Sequence, residues 1–337
     1  MTTLEFGAAI DTAVATAMAD DERIVVFGED VPLLRRELLL RFGPGRVRAT
    51  PISESAFLGT AVGAAMAGLR PLVEIMLVDF LGVALSALLN EAAMIHTLSG
   101  GRVNVPMVIR ATCGGGYGDA GQHEQSLWGL LAGIPGLTVV VPSNPADGAG
   151  LMLAALVHDG PVVFLEHKLL SQQWLELLGG SDRATVAFDV PAAGTRGEVA
   201  LPPERIRIGA AATRREGRDL AILSLAVGVH RSLEAAERLA AQGIDAGVID
   251  LRSVSPLDRL AILEAARRTG RVLVVDEDYL GFGLSGEIAA QIAESGTTVR
   301  FGRIGCESVI PYARHLEDQV IPSVDRIAGA ARRLMEG

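Results

Sequence analysis

Apolar residues recur along this chain in two rhythms, short unbroken runs that read as buried strands and wider spacings that read as helices. Phe6, Ile10, Val14 and Met18 stand four apart and predict an amphipathic helix over Leu4 to Ala19. Ile24 to Phe27 then predicts a strand that delivers Gly28, Glu29 and Asp30 to its carboxyl end. Leu33 to Pro51 has no rhythm and holds the turn sequence FGPGR, so it reads as loop. From Glu54 to Gly68 the residues are apolar or small on every side, which predicts a helix buried all round, with Ser53 as N-cap and Gly68 as terminator. Pro71 to Phe80 follows as a buried strand and Leu81 to Leu98 as a helix. Strands over Pro106 to Cys113, Thr138 to Val141 and Pro161 to Leu165 enclose a helix over Asp147 to Val157.

Between Ser171 and Asp219 the periodicity fades into Gly, Pro, Arg and small residues, with strand-like pieces such as Thr185 to Phe188. Alternation then resumes. Strands over Leu220 to Leu225, Ala246 to Leu251, Arg271 to Asp276 and Thr298 to Ile304 interleave with helices over Val229 to Gln242, Pro256 to Thr269, Ser285 to Glu294 and Val324 to Met335. Such alternation predicts an α/β fold of two doubly wound, mostly parallel sheet domains. The expected division is 1–170, a linker or excursion at 171–218, and 219–337.

The composition, 337 residues of which 49% are hydrophobic, suits large cores and buried subunit surfaces. A net charge of -10 argues against a nucleic-acid or anionic-membrane surface, which would need clustered Lys and Arg. No apolar run is long enough for a membrane span, and MTTLEFGAAIDTA lacks the basic region of a signal peptide. Cys113 and Cys306 therefore read as reduced thiols of a cytoplasmic protein, Cys113 as a small buried hydrophobe.

Few residues carry candidate chemistry. Glu54 is the single ionisable group of its helix, a position that helix electrostatics alone would favour. Glu29 lies where parallel sheets gather ligand groups, although acids are also common in surface loops. Gly116, Gly118 and Gly121 fit G-x-G-x-x-G, yet the next strand ends in Pro142-Ser143-Asn144 rather than in the acid a dinucleotide ribose requires. His123-Glu124 is not a zinc-protease motif, because Leu127 stands where the second His belongs. His123 either caps a helix or transfers protons at a site mouth. Asp276-Glu277-Asp278 reads as a solvated acidic patch.

Four motifs in order, TPISESAF, GTAVGAAMAGLRPLVE, GGGYGDAGQHEQSLW and VIDLRSVSPLD, resemble the beta subunit of the thiamine-diphosphate-dependent component of 2-oxo acid dehydrogenase complexes. That group comprises pyruvate, branched-chain 2-oxo acid and acetoin dehydrogenases. The resemblance implies a transketolase-like pyrimidine-binding domain followed by a transketolase C-terminal-like domain used for dimer contacts and docking. It implies that Glu54 is the acid on the cofactor pyrimidine, that Phe80 stacks on that ring, and that Ile52 and Met76 contact it. Glu29 joins this set by its place at a strand end. For Glu54 to share a proton near neutrality its surround must exclude water, which Ala56, Phe57 and Ala61 supply.

The family's Q-H-S-Q motif, whose His handles the incoming lipoyl group, is here Gln122-His123-Glu124-Gln125, with Glu124 in place of a small hydroxyl. The G-D-G and N-N segments that hold the diphosphate and Mg2+ are missing, since Gly118-Asp119 continues into Ala120. The resemblance therefore implies a separate alpha subunit holding those groups in an α2β2 tetramer, and a lipoyl-bearing acyltransferase core as a further partner. Two other readings are the C-terminal half of a split transketolase and an α/β subunit without turnover.

Overall fold

The structure is a computed structural model that describes residues 1–179 and 191–336. The strand-like piece Thr185 to Phe188 lies outside the described residues. Seven strands form the first sheet, in the order Ser253–Ser255, Thr138–Val140, Val162–His167, Val108–Cys113, Arg70–Leu77, Ile24–Gly28 and Val47–Ala49. All run parallel except Ser253–Ser255, which returns from the second half of the chain to pair antiparallel with Thr138–Val140.

Period-two alternation in these strands feeds two cores. Val26, Leu72, Val108 and Phe164 face the helices Phe6–Asp20 and Pro145–Val157. Phe27, Val73, Ile109 and Val163 face the helix Glu54–Met66. This second core runs without a break into Leu223 and Val274 of the five-stranded sheet that follows and Ile288 of the helix Leu284–Glu294. That sheet has the order Arg300–Cys306, Arg271–Tyr279, Leu220–Ser224, Ala246–Asp250 and Ala212–Arg215, the last strand antiparallel.

Several expectations need correction. Leu33 to Pro51 contains the helix Arg36–Phe42, and its Val47–Ala49 pairs as an edge strand with Val26 to Gly28. Leu81 to Leu98 is not one helix but a 3-10 turn Val78–Gly82, a π-helical Ala87–Ala92 and a short α-helix Ile95–Leu98. The helix Glu54–Met66 is buried on one side only: Phe57, Leu58, Ala61 and Val62 face inward, while Ala56, Thr60 and Gly63 are exposed. Its outer face is small rather than polar, so composition could not tell the two faces apart. Ser53 occupies the cap position without a side-chain capping bond.

The described part of the excursion serves both domains: its end, Ala212–Arg215, is the edge strand of the second sheet, and its earlier part lies on the first. Arg196–Val199 pairs antiparallel with Thr2–Glu5. The Ile206 amide donates to the Gly150 carbonyl at 3.1 Å, and a Cβ on Gly150 would stand 2.6 Å from Ile206.

Beneath the carboxyl ends of the central strands lies a buried charge network. Arg110 pairs with Glu166 and, at 2.7 Å, with Asp11; Arg35 bonds Glu74 at 2.7 Å and reaches Asp11 at 3.3 Å. Three carboxylates thus share two guanidinium groups, and removing one leaves uncompensated buried charge. Arg110→Ala is expected to lower stability by about 3–5 kcal/mol, read from the midpoint of urea denaturation.

Candidate active site

Every sequence-predicted site residue lies at or beside the carboxyl ends of the first sheet's parallel strands, or at the head of the helix Glu54–Met66. Glu29 follows the strand Ile24–Gly28, Met76 ends Arg70–Leu77, and Phe80 sits on the turn after it. Glu54 is only 9% exposed, and among the described residues no side chain or amide donates to its carboxyl. Glu29 is near enough to feel it: burial pushes the Glu29 carboxyl up, and the charges of Asp30 and Glu54 push it further. Glu29 and Met76 line one narrow cleft with Glu74, Arg110 and Trp174. Phe80 meets the His123 ring edge to face, centroids 6.0 Å apart. Ile52, 74% exposed, is not drawn against the others in this chain.

His123 belongs to a glycine-rich loop whose shape is set by positive φ angles, 89° at Gly114, 114° at Gly116 and 77° at Gly118. These turn successive amides to one side. The Gly115 amide donates to Glu277 at 2.9 Å, the Gly116 and Gly118 amides donate to Glu317, and the Gly121 amide donates to the Ile310 carbonyl at 2.9 Å. The amides that a dinucleotide phosphate would need are therefore taken by acids of the second domain.

The His123 carbonyl accepts from the Tyr117 hydroxyl at 2.7 Å and from Lys168, and His123 Nδ1 lies 3.2 Å from the Asp119 carbonyl. Glu124 accepts from the Asp119 amide at 2.8 Å. Burial, and after it the charge of Glu317, pushes the Glu124 carboxyl up to about 8. Burial likewise pulls the Lys168 ammonium down to about 8.

Sequence reasoning passed over Glu74, Arg110, Glu166 and Lys168, although each interrupts an otherwise apolar strand run, in PLVEIML, PMVIRATC and PVVFLEHKLL. It also took Asp276, Glu277 and Asp278 as solvated, whereas all three are buried. They are held by partners: Trp128 Nε1 donates to Asp276 at 2.8 Å, the Gly129 amide to Asp278 at 2.8 Å, and Arg231 to Glu277 at 2.9 Å. Burial opposes ionisation of Glu277, but His167, Arg231 and the Gly115 amide outweigh it and hold that carboxyl down to about 2. Burial keeps the Cys113 thiol protonated, which makes it an inert core residue.

A loop-borne His against a half-buried aromatic ring, a buried acid at a helix head and two α/β sheets sharing one core are the features that the first domain and its neighbour bring together. The chain matches the transketolase pyrimidine-binding domain over residues 2–173 and the transketolase C-terminal domain over residues 209–327. It is 37% identical to the beta subunit of the acetoin:2,6-dichlorophenolindophenol oxidoreductase of Cupriavidus necator, over 98% of this chain and 96% of that one. It is 37% identical to the beta subunit of 2-oxoisovalerate dehydrogenase of Bacillus subtilis, over 100% of both. The mitochondrial pyruvate dehydrogenase E1 component subunit beta-1 of Arabidopsis thaliana is 35% identical, over 96% of this chain and 87% of that one. A split-gene transketolase, solved as an inactive beta4 tetramer, superposes with a TM-score of 0.80 over 98% of both chains at 23% identity, which shows the shared fold. The chain belongs to the beta-subunit family of the thiamine-diphosphate-dependent 2-oxo acid dehydrogenase components. Membership brings with it an alpha partner. Among the described residues no helix is long and apolar enough to cross a membrane.

Burial, with the charge of Asp278 added, pushes the Asp276 carboxyl up to about 7. A raised carboxyl favours the folded state at low pH, and that advantage is lost as pH rises from 3.8 toward 7. Trp128 emission is expected to titrate with a midpoint near pH 7 and Asp276→Asn to abolish the transition, measured by fluorescence against pH.

Proposed function

We propose that this chain is the beta half of a dehydrogenase site acting on a 2-oxo acid or acetoin, working with an alpha subunit in an α2β2 tetramer and passing acyl groups to a lipoyl-bearing acyltransferase core. The observation that carries it is the Glu54 carboxyl, buried at a helix head with no donor among the described residues. An acid so placed fits a pyrimidine ring nitrogen brought in from outside. Residues 1–170 hold this half-site, residues 219–337 form the second domain, and 171–218 is the connection between them. The assembly is cytoplasmic on this reading.

When bound, thiamine diphosphate would supply a nucleophilic carbon and an electron sink for decarboxylation. Glu54 holds a proton against the pyrimidine nitrogen, so that the opposite amino group of that ring can act as a base. Phe80 would stack on the ring, Ile52 and Met76 would fill its apolar edges, and Glu29, at the strand end, would join them in binding the cofactor. His123 stands across Phe80, where it gives or takes the proton that accompanies acyl transfer. The diphosphate and Mg2+ fall to the alpha subunit, since the loop amides that could cradle phosphate here already serve Glu277 and Glu317. Full-length identity of 35–37% to dehydrogenase beta subunits weighs against the split-transketolase reading, whose likeness stands at 23%.

Glu54→Gln in the complex reconstituted with the alpha subunit is expected to lower turnover by about 10²-fold or more. Retained activity would support a subunit without a catalytic role. By calorimetry, thiamine diphosphate with Mg2+ is expected to bind weakly to this chain alone and tightly to the pair; equal affinity would refute the half-site.

A further inference from the structure

We propose that the second domain positions the proton-transfer group of the first: Glu317 sets the working shape of the His123 loop through the amides of Gly116 and Gly118 and through the carboxyl of Glu124. The inference rests on the role proposed above for His123.

The geometry forms one chain of contacts. Glu317 lies in the helix Arg314–Val320 and is fully buried, its two oxygens accepting from the Gly116 and Gly118 amides. Glu124 is also fully buried: its Oε1 accepts from the Asp119 amide at 2.8 Å, while its Oε2 is buried without a donor and Glu317 is the acid whose charge acts on it. The Asp119 carbonyl in turn meets His123 Nδ1 at 3.2 Å. If that nitrogen carries the proton, the Asp119 carbonyl fixes the tautomer and leaves Nε2 as the basic lone pair. Both oxygens of Glu317 accept from amides, and among the described residues no donor reaches Glu124 Oε2, so a proton joining the two carboxyl groups sits on Glu124.

Two facing carboxyl groups hold together only while one is protonated. The groups around Glu124 are Glu317, the Asp119 amide, Lys168 and Tyr117, and Arg314 lies 3.6 Å from Glu317. Lys168 is spent on the His123 carbonyl and lies 4.8 Å from the Tyr117 ring centroid. As pH rises through about 8 Glu124 ionises, the pair repels, and the Asp119 turn that orients His123 loosens. The latch thus works at neutral pH and opens in alkali.

Hydrogen exchange of residues 114–125 in the full chain, corrected for intrinsic rates, tests this without reference to activity. Wild-type protection is expected to fall about tenfold between pH 7 and pH 9, as the protonated fraction of a group titrating near 8 does. Glu124→Gln, a permanently neutral donor, is expected to hold that protection level, and Glu317→Ala to lose it at both pH values. In the complex with the alpha subunit, acyl transfer to a lipoyl domain should decline above pH 8 in wild type and stay level to pH 9 in Glu124→Gln. Identical pH profiles for wild type and Glu124→Gln, or a loop still protected in Glu317→Ala, would overturn the proposal. Should Glu317→Ala fail to fold, the Glu124→Gln comparison decides alone. Because the exchange measurement does not depend on Glu54, an active Glu54→Gln complex would sink the functional reading and leave this one standing.

Discussion

The Glu277 carboxylate, buried between the two sheets, takes hydrogen bonds from His167 at 2.7 Å, from Arg231 at 2.9 Å and from the Gly115 amide at 2.9 Å. His167 ends a strand of the first sheet, Arg231 lies on a helix of the second domain, and Gly115 begins the His123 loop. One charge therefore ties three elements, and none of them could stay dry without the others. A buried charge or bare amide must find its partner inside the protein. That requirement gives the second domain a part in the site, since Glu277 and Glu317 are what the turned amides of the glycine loop have in place of water. The continuous apolar core beneath the junction holds the two domains in the register this pairing needs.

The opposite constraint governs the outer face of the helix Glu54–Met66. There Ala56, Thr60 and Gly63 are exposed, next to an apolar groove of about 370 Å³ lined by Phe27, Pro51, Phe57 and Leu69. Small side chains let another backbone come close, and apolar lining gains from being covered. Glu54 heads the same helix, so whatever covers this face also dries the carboxyl. Ile52 stands exposed next to this groove.

Much of the fold could be read from period alone. The helices Phe6–Asp20, Pro145–Val157 and Val324–Glu336 and nine of the twelve strands in the two sheets fall within a few residues of their expected positions, because each buries apolar residues in a regular rhythm. Ser253–Ser255 was hidden because its pairing is with a strand more than a hundred residues away, and no local pattern encodes that. The edge strand Val47–Ala49 was hidden because only Val47 of its three residues is buried. For the site, Glu54, His123 and Phe80 stood out through motif resemblance. The acids of Asp276 to Asp278 did not, since a charged triplet looks the same in sequence whether water or Trp128 and Arg231 receives it. Glu317 was invisible for a related reason: one of two adjacent acids in a stretch not read as any element, it gives no sign that it meets two amides of a loop about two hundred residues earlier.

Glu124 shows how one departure from a motif reorganises its surroundings. A small hydroxyl at that place could accept from the Asp119 amide and be satisfied, leaving Glu317 to the glycine amides alone. A carboxyl brings more oxygen than the amide can use and a charge that the site cannot solvate. Two changes accommodate it: the proton that joins Glu124 to Glu317, and the buried ammonium of Lys168 on the far side of the loop. Lys168 does not pair with Glu124 directly; it donates to the His123 carbonyl and lies against the Tyr117 ring. Its donor is therefore spent on the backbone that carries the His, which anchors the loop one residue before the acid.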